Sequence, residues 1–386
     1  MKPRYLPGNR VDLLETGDEY FPALLSAIAA ARTEIRLETY IFADDTTGRR
    51  VAAALALAAR RGVKVCVLAD GFGARHFAQS LGPELVAAGV EVLVYRPQVS
   101  PLSLRRHRLR RLHRKLVCID ARIAFVGGIN IIDDLQDGSA TPPRYDYAVR
   151  VEGPLLQPIH ASMRRLWQLV RWTTFKHRAR DANLAPPPAE RPGEVRAAFV
   201  MRDNLRHRRD IEAAYLRAIG AAKHELLLAN AYFLPGRRFR RALLAAAQRG
   251  VKVTVLLQGR VEYLLLHYAT RALYGALLGA GVRIFEYRRS FLHAKVAVVD
   301  GTWATVGSSN IDPFSLLLAR EANVVVSNGD FASGLLKSLR RAMEAGAVEV
   351  ERDDWQRKPP WARAAHWAAY GLVRLLIGLA GYANKH

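Results

Sequence analysis

The sequence predicts an α/β fold built from one domain-sized unit present twice, and three observations predict it. The stretch LHRKLVCIDARIAFVGGIN (Leu112 to Asn130) returns as LHAKVAVVDGTWATVGSSN (Leu292 to Asn310), with His, Lys, Asp, Gly and Asn at identical offsets. Strand-like and helix-like runs alternate ahead of each copy. A proline cluster, DANLAPPPAERPGEV (Asp181 to Val195), separates the two. Residues 1–180 and 196–355 are therefore two tandem, pseudo-symmetric lobes joined by a linker at 181–195, with an apolar helix expected over 356–386. Each lobe is expected to be a mostly β-sheet core flanked by helices, with the active site between the lobes.

The elements pair in order. AIAAARTEIRLETYIFADD (Ala27 to Asp45) matches AIGAAKHELLLANAYFLPG (Ala218 to Gly236), each a helix end running into a β-rich segment. Next, RRVAAALALAARRGVKVCVLAD matches RRALLAAAQRGVKVTVLLQG: an Ala/Leu-rich helix, a Gly at its end and a buried V-K-V-x-V strand. A further helix and strand follow in each half (LVAAGVEVLVYRP and LLGAGVRIFEYRR) before the His-bearing stretch. Ala27 and Ala218 lie 191 residues apart, Lys64 and Lys252 188, and His113 and His293 180, a drift that loop insertions and deletions explain. Such a period is too long for a solenoid repeat.

Composition narrows the partners. Lys and Arg number 58 against 35 Asp and Glu, a formal charge of +23 that favours nucleic acid, an acidic membrane surface or a phosphorylated substrate. Cys66 and Cys118 each sit inside an apolar run, a spacing that fits buried strand thiols and neither a zinc site nor a disulfide framework. The N-terminus lacks a signal-peptide core, and nothing before residue 360 is apolar for long enough to span a bilayer.

On a strand, His293 and Lys295 project from one face, and a turn at Asp300-Gly301 would return Ser308 and Asn310 beside them. An imidazole, an ammonium and amide or hydroxyl donors around one point suit a phosphate; His113, Lys115 and Asn130 repeat the arrangement. Displacement at a phosphodiester needs a nucleophile on one side and a proton donor for the leaving oxygen on the other. Two facing clusters supply both, through a covalent phosphohistidine. An attacking imidazole is oriented by a carboxylate, and Asp146 and Glu321, each opening an apolar strand, are placed to orient His113 and His293 respectively. Asp120 and Asp300 close strands, where pairing with backbone or a basic group is expected; as the acidic members of the repeated pattern they are grouped with the catalytic set. The other nine histidines, His160 and His267 among them, are read as structural.

These residues match the pattern H-x-K-x4-D-x6-G-[GS]-x-N in both copies, and the chain thereby resembles the phospholipase D superfamily nearly throughout, to about residue 355. The resemblance implies a bilobed α/β fold and a phosphohistidine mechanism with no metal and no cofactor. It also implies His113 as nucleophile and His293 as general acid. VGGINIIDD, ETYIF and DPFSLLLARE are similar to the bacterial cardiolipin synthase branch, in the type without N-terminal membrane spans. Phosphatidylglycerol is then the implied substrate, and the implied location is the bacterial inner membrane with the catalytic body on the cytoplasmic side. In the first copy Gly128 stands where the second has Ser308, which removes a hydroxyl from the His113 side.

The basic block RRHRLRRLHRK (Arg105 to Lys115) serves a nucleic-acid groove or an anionic lipid surface equally well. The C-terminus separates the two. Trp361 to His386 is apolar, carries Trp361, Trp367, Tyr370 and Tyr382, and follows Lys358-Pro359-Pro360 punctuation. With Arg374 near its middle it reads as a helix lying in or dipping into the membrane interface, the alternative being a helix packed on the protein's own core. An anionic phospholipid membrane is thus the expected partner, with nucleic-acid cleavage or phospholipid hydrolysis as the alternative activity.

Overall fold

The structure, a computed structural model, describes residues 3–97, 110–133, 143–174, 190–357 and 359–377. The first half runs β1 (Leu6–Glu15), α1 (Thr16–Ala30), β2 (Glu34–Thr39), α2 (Thr46–Arg60), β3 (Lys64–Asp70), α3 (Leu81–Ala87), β4 (Glu91–Tyr95), β5 (Lys115–Ile119), β6 (Ile123–Gly127), β7 (Tyr147–Glu152) and α4 (Leu156–Thr173). The second half runs β8 (Val195–Arg202), α5 (Asp210–Ala221), β9 (Glu225–Asn230), α6 (Arg237–Gln248), β10 (Lys252–Gln258), α7 (Leu264–Arg271), α8 (Tyr274–Gly279) and β11 (Arg283–Tyr287). It continues with β12 (Lys295–Val299), β13 (Trp303–Gly307), α9 (Pro313–Leu317), β14 (Glu321–Ser327), α10 (Gly329–Gly346) and β15 (Ala347–Glu349). Two helices, α11 (Arg352–Gln356) and α12 (Pro360–Ile377), follow.

Local chemistry sets these units. α2 begins where Asp45 accepts the Gly48 amide at 2.8 Å and turns Val51, Leu55 and Ala58 inward. It ends at Gly62, whose φ of +88° reverses the chain into β3. Phe239, Leu243 and Ala246 of α6 repeat that inward face, and Gly250 at φ +86° repeats the reversal into β10. β3 and β10 are buried along nearly their whole length, as parallel strands covered on both faces must be.

The fifteen strands among the described residues form one sheet, in the order β15-β11-β10-β9-β12-β13-β14-β8-β1-β7-β6-β5-β2-β3-β4. Each half supplies the β-sheet core expected of its lobe, and the two cores join at a seam where β1 runs antiparallel to β8, Leu6 opposite Ala197. The physical reason is edge satisfaction. Once β1 pairs with β7, and β8 with β14, each retains one free edge, and the two edges bond each other. Buried Asn9 fastens the seam: its Nδ2 donates to the Leu6 and Val195 carbonyls, and its Oδ1 accepts from the Leu155 amide at 2.7 Å. Strand order mirrors across the seam, so β5 lies antiparallel between β2 and β6 just as β12 lies between β9 and β13.

One apolar layer crosses the seam, drawing Leu116, Val149 and Met163 from the first half and Val296, Val324 and Leu335 from the second. Outer layers pack α1, α2 and α3 on the first half and α5, α6 and α8 on the second. Cys66 and Cys118 are buried free thiols.

α12 departs from its expected detachment. It packs along α7, with His366 between the rings of Trp355 and Tyr268 (centroids 5.4 and 5.3 Å) and Val373 and Ile377 in the second half's core. The opposite face leaves Trp361 74% exposed, with Trp367, Leu372 and Leu375 beside it in the helix. No helix among the described residues is long and apolar enough to cross a membrane. Residues 105–109 of the basic block, 181–189 of the linker, Lys358 and 378–386 lie outside the described residues; β8 already begins at Val195, the last residue of the expected linker.

Candidate active site

Lys115 and Lys295 open β5 and β12, so each histidine occupies the loop end of its strand, two residues earlier. Backbone bonds strap these loops to the opposite half. His113 N–H donates to the Arg320 carbonyl (3.0 Å) and Arg320 N–H to that of Arg111 (2.8 Å); His293 N–H donates to Tyr145 and Tyr145 N–H to Phe291, both at 2.8 Å. From within each half, Asp70 accepts the Leu112 amide at 2.7 Å and Gln258 the Leu292 amide at 3.0 Å. Each segment ahead of a histidine is thus held by its own half and by the other.

The straps decide which carboxylate meets which imidazole. The sequence pairs Asp146 with His113 and Glu321 with His293; the structure crosses them. Glu321 Oε1 lies 2.9 Å from His113 Nδ1, and Asp146 Oδ2 lies 2.6 Å from His293 Nδ1. The reason is the parallel bridging of Leu112 with Arg320 and of Tyr145 with Leu292, which sets each carboxylate one residue beyond the strap and beside the foreign histidine. With both Nδ1 atoms engaged, Nε2 is the ring nitrogen left for chemistry on each side.

Both lysines are buried with their charges close together. Lys115 Nζ donates to the His113 carbonyl at 2.7 Å; Lys295 Nζ donates to the His293 carbonyl and lies 3.6 Å from Asp146 Oδ2. Burial pushes Lys115 down to about 7, with repulsion from Lys295 adding to it, and burial pushes Lys295 down to about 8, in both cases against the pull of Glu321 and Asp146. His293 falls to about 3, through burial first and the neighbouring Lys295 second, with Asp146 opposing. His113 is lowered by burial while Glu321 pulls it back. Burial alone would raise Asp146, but Lys295 and His293 carry its carboxyl below the ordinary value. Each histidine feels the lysine of the other half, so the two clusters share one electrostatic site. Both imidazoles are held neutral around a point ready for an anion.

The amides are placed alike. Asn130 Oδ1 accepts from Ile41 N–H (3.2 Å) and Asn310 Oδ1 from Tyr232 N–H (3.4 Å), which leaves each NH2 end as donor. Ser308, expected among the phosphate donors, is used elsewhere. Its hydroxyl donates to Glu321 Oε2 at 2.5 Å and accepts from Ala322 N–H, so it braces the carboxylate behind His113. At Gly128 a Cβ would collide with the Asp146 carboxylate, which explains glycine there.

Asp120 and Asp300 do not join the cluster. Asp120, at φ +51°, accepts from the Arg32, Thr33 and Glu34 amides at 2.8–2.9 Å; Asp300, at φ +50°, accepts from Lys223, His224 and Glu225 at 2.8–2.9 Å. Grouping them with the catalytic residues is corrected: each ties a hairpin turn to the strand beside it, at the far end from the histidine.

Several participants escaped sequence reading. The Tyr40 ring meets His113 edge-on (centroids 4.9 Å) and lies 5.4 Å from Lys115 Nζ. Arg114, pointing away from the site, pairs with Glu38 and Ser162. Asp70 and Gln258 stand 188 residues apart at equivalent strand ends, a signal the repeat alignment contained. Among the described residues no group of three His, Cys, Asp or Glu is placed to hold a metal ion.

Known proteins resemble the chain in both halves. The family model described as "Cardiolipin synthase, PLD-like domain" matches residues 24–167 and 215–343. "Cardiolipin synthase B" of Escherichia coli (strain K12) is 39% identical over 396 residues, covering 100% of this chain and 93% of that protein. "Cardiolipin synthase A" of Pectobacterium atrosepticum is 30% identical over 374 residues, covering 96% and 76%. Among solved structures, phosphatidylserine synthase of Haemophilus influenzae shares the fold with a TM-score of 0.71 at 12% identity, over 95% of each chain. Matched in both halves and along its full length, the chain belongs to the phospholipase D-like family of cardiolipin synthases.

Proposed function

We propose that the protein is a phosphatidyltransferase that makes cardiolipin from two molecules of phosphatidylglycerol. The observation that carries this reading is the crossed pair of histidine–carboxylate contacts around two buried lysines, in a chain whose relatives are named cardiolipin synthases. His113 Nε2 attacks phosphorus and the bond from phosphorus to the glycerol oxygen breaks. His293, made cationic by the negative charge of the bound phosphodiester, gives its Nε2 proton to that oxygen, and glycerol leaves. The neutral His293 then takes the proton from a hydroxyl of the second phosphatidylglycerol; its oxygen attacks phosphorus and the P–N bond to His113 breaks. Lys115, Lys295, Asn130 and Asn310 hold the phosphate oxygens throughout.

The lipid lies in an anionic membrane on which the protein docks as a peripheral body. The exposed Trp361, Trp367, Leu372 and Leu375 of α12 enter the interface, and the +23 charge supports attraction to acidic headgroups. The test is incubation of purified protein with phosphatidylglycerol vesicles, with and without a chelator. Cardiolipin and free glycerol are expected in equal amounts under both conditions. Absence of both products removes the proposal, and activity restored only by added metal removes its cofactor-free chemistry.

A further inference from the structure

The two halves differ at the mouth of the site. Where the first half has Ala74 the second has Glu262, counting by the 188-residue offset of the paired strands Lys64–Asp70 and Lys252–Gln258. Glu262 projects from the loop between β10 and α7, with a fifth of its side chain exposed. Tyr232 O–H donates to its Oε2 at 2.5 Å, and Arg144, from the first half, reaches its Oε1 at 3.5 Å. Tyr232 is also the residue whose backbone amide holds Asn310, so the carboxylate is linked through Tyr232 to the phosphate-binding amide. Its charge is felt at Lys295, the lysine of the His293 side. Tyr232, Gln258, Arg260 and Tyr263 wall a small cleft beside it.

A carboxylate here is unexpected if phosphate alone is recognised, because it opposes an anionic substrate. It suits groups that donate hydrogen bonds. Each carboxylate oxygen has two acceptor sites, so with one bond from the Tyr232 hydroxyl and one long contact from Arg144 the Glu262 carboxylate keeps acceptor capacity. On the phosphatidyl-transfer reading, the alcohol protonated by His293 departs on this side, and that alcohol is glycerol with two free hydroxyls. We propose that Glu262, held by Tyr232 and Arg144, is the specificity-determining residue that accepts hydrogen bonds from the free hydroxyls of the leaving headgroup. The His113 side, with Ala74 at the equivalent place, lacks this selector.

The assignment rests on the transfer reading, and the experiment separates the two. Full-length protein and its Glu262→Ala and Glu262→Gln variants are assayed on vesicles of phosphatidylglycerol and of phosphatidylpropanol, which has the same phosphodiester and no free hydroxyl; the first-turnover release of glycerol or propanol, which forms the phosphohistidine and needs no acceptor, is measured. The unaltered protein should prefer phosphatidylglycerol. Both variants should lose about 10- to 100-fold on phosphatidylglycerol, the size of one or two hydrogen bonds to a charged group, and stay within about twofold on phosphatidylpropanol. Retained propanol release also shows that the variants fold. An equal fall on both lipids means that Glu262 acts through Lys295 or the fold, and overturns the assignment. Unchanged glycerol release overturns it as well. Release of neither alcohol by the unaltered protein would instead remove the transfer reading, and the headgroup assignment with it.

Discussion

His113 is oriented by Glu321, a residue of the other half of the chain, at 2.9 Å between Nδ1 and Oε1; His293 and Asp146 make the reciprocal pair at 2.6 Å. The crossing assigns each carboxylate to one chemical step. Glu321→Gln should slow attack on phosphorus whatever the leaving group, by up to about 10⁴-fold. Asp146→Asn should slow protonation of the leaving oxygen, so a phosphodiester of a p-nitrophenol, which needs no acid, should recover most of the rate. Single-turnover kinetics on both substrates check this. Rescue of the Glu321 variant and not the Asp146 variant would reverse the roles of the two histidines.

Phosphate affinity should fall as pH rises through the two lysines, at about 7 for Lys115 and about 8 for Lys295. Only the ammonium form attracts the anion. Calorimetric titration with a short-chain, water-soluble phosphatidylglycerol should show at least about tenfold weaker binding at about pH 9 than at about pH 6.5. Their effect on stability has the opposite sign. The unfolded lysines keep their protons to about 10.4, so between about 7 and that value the unfolded chain binds more protons, and these groups' contribution to folding rises with pH. Affinity that is flat across the range would contradict the buried-cation account.

Asp120→Ala should cost folding stability and spare chemistry. Burial would raise its carboxyl, but the amides of residues 32–34 hold it below its ordinary value, and removal leaves those donors without their acceptor. A loss of about 1–3 kcal/mol in urea unfolding is expected, with turnover per folded molecule within about twofold. A collapse of turnover in protein of normal stability would return Asp120 to the catalytic set.

Replacing Trp361 and Trp367 with Ser should weaken flotation with anionic vesicles by about tenfold or more, since each aromatic ring carries roughly 1.5–3 kcal/mol of transfer free energy when buried. Unfolding should shift little, because both side chains are more than half exposed. Unchanged flotation would leave α12 as a packing element only.

Much of this was legible because duplication doubled each signal. His113 and His293, Lys115 and Lys295, and Asn130 and Asn310 stand out by equal spacing, and α2–β3 and α6–β10 by apolar periodicity ending in Gly62 and Gly250. The carboxylates were identifiable and their partners were not. Spacing reports local order, whereas the straps at Arg320 and Tyr145 come from long-range backbone pairing. The seam at Leu6 and Ala197 was hidden for the same reason, as was the selector at Glu262, which has no counterpart in the repeat. Ser308 was misplaced because a hydroxyl beside a phosphate site serves equally to bind substrate or to brace a carboxylate.

The shared seam between β1 and β8 carries an evolutionary cost of divorce. A half-length polypeptide would carry a raw hydrogen-bonding margin along that strand, and its imidazole would lack the acid that steadies it. Fragments expressed apart should therefore be sticky and inert until they meet, and co-expressed fragments should recover function only by rebuilding the whole.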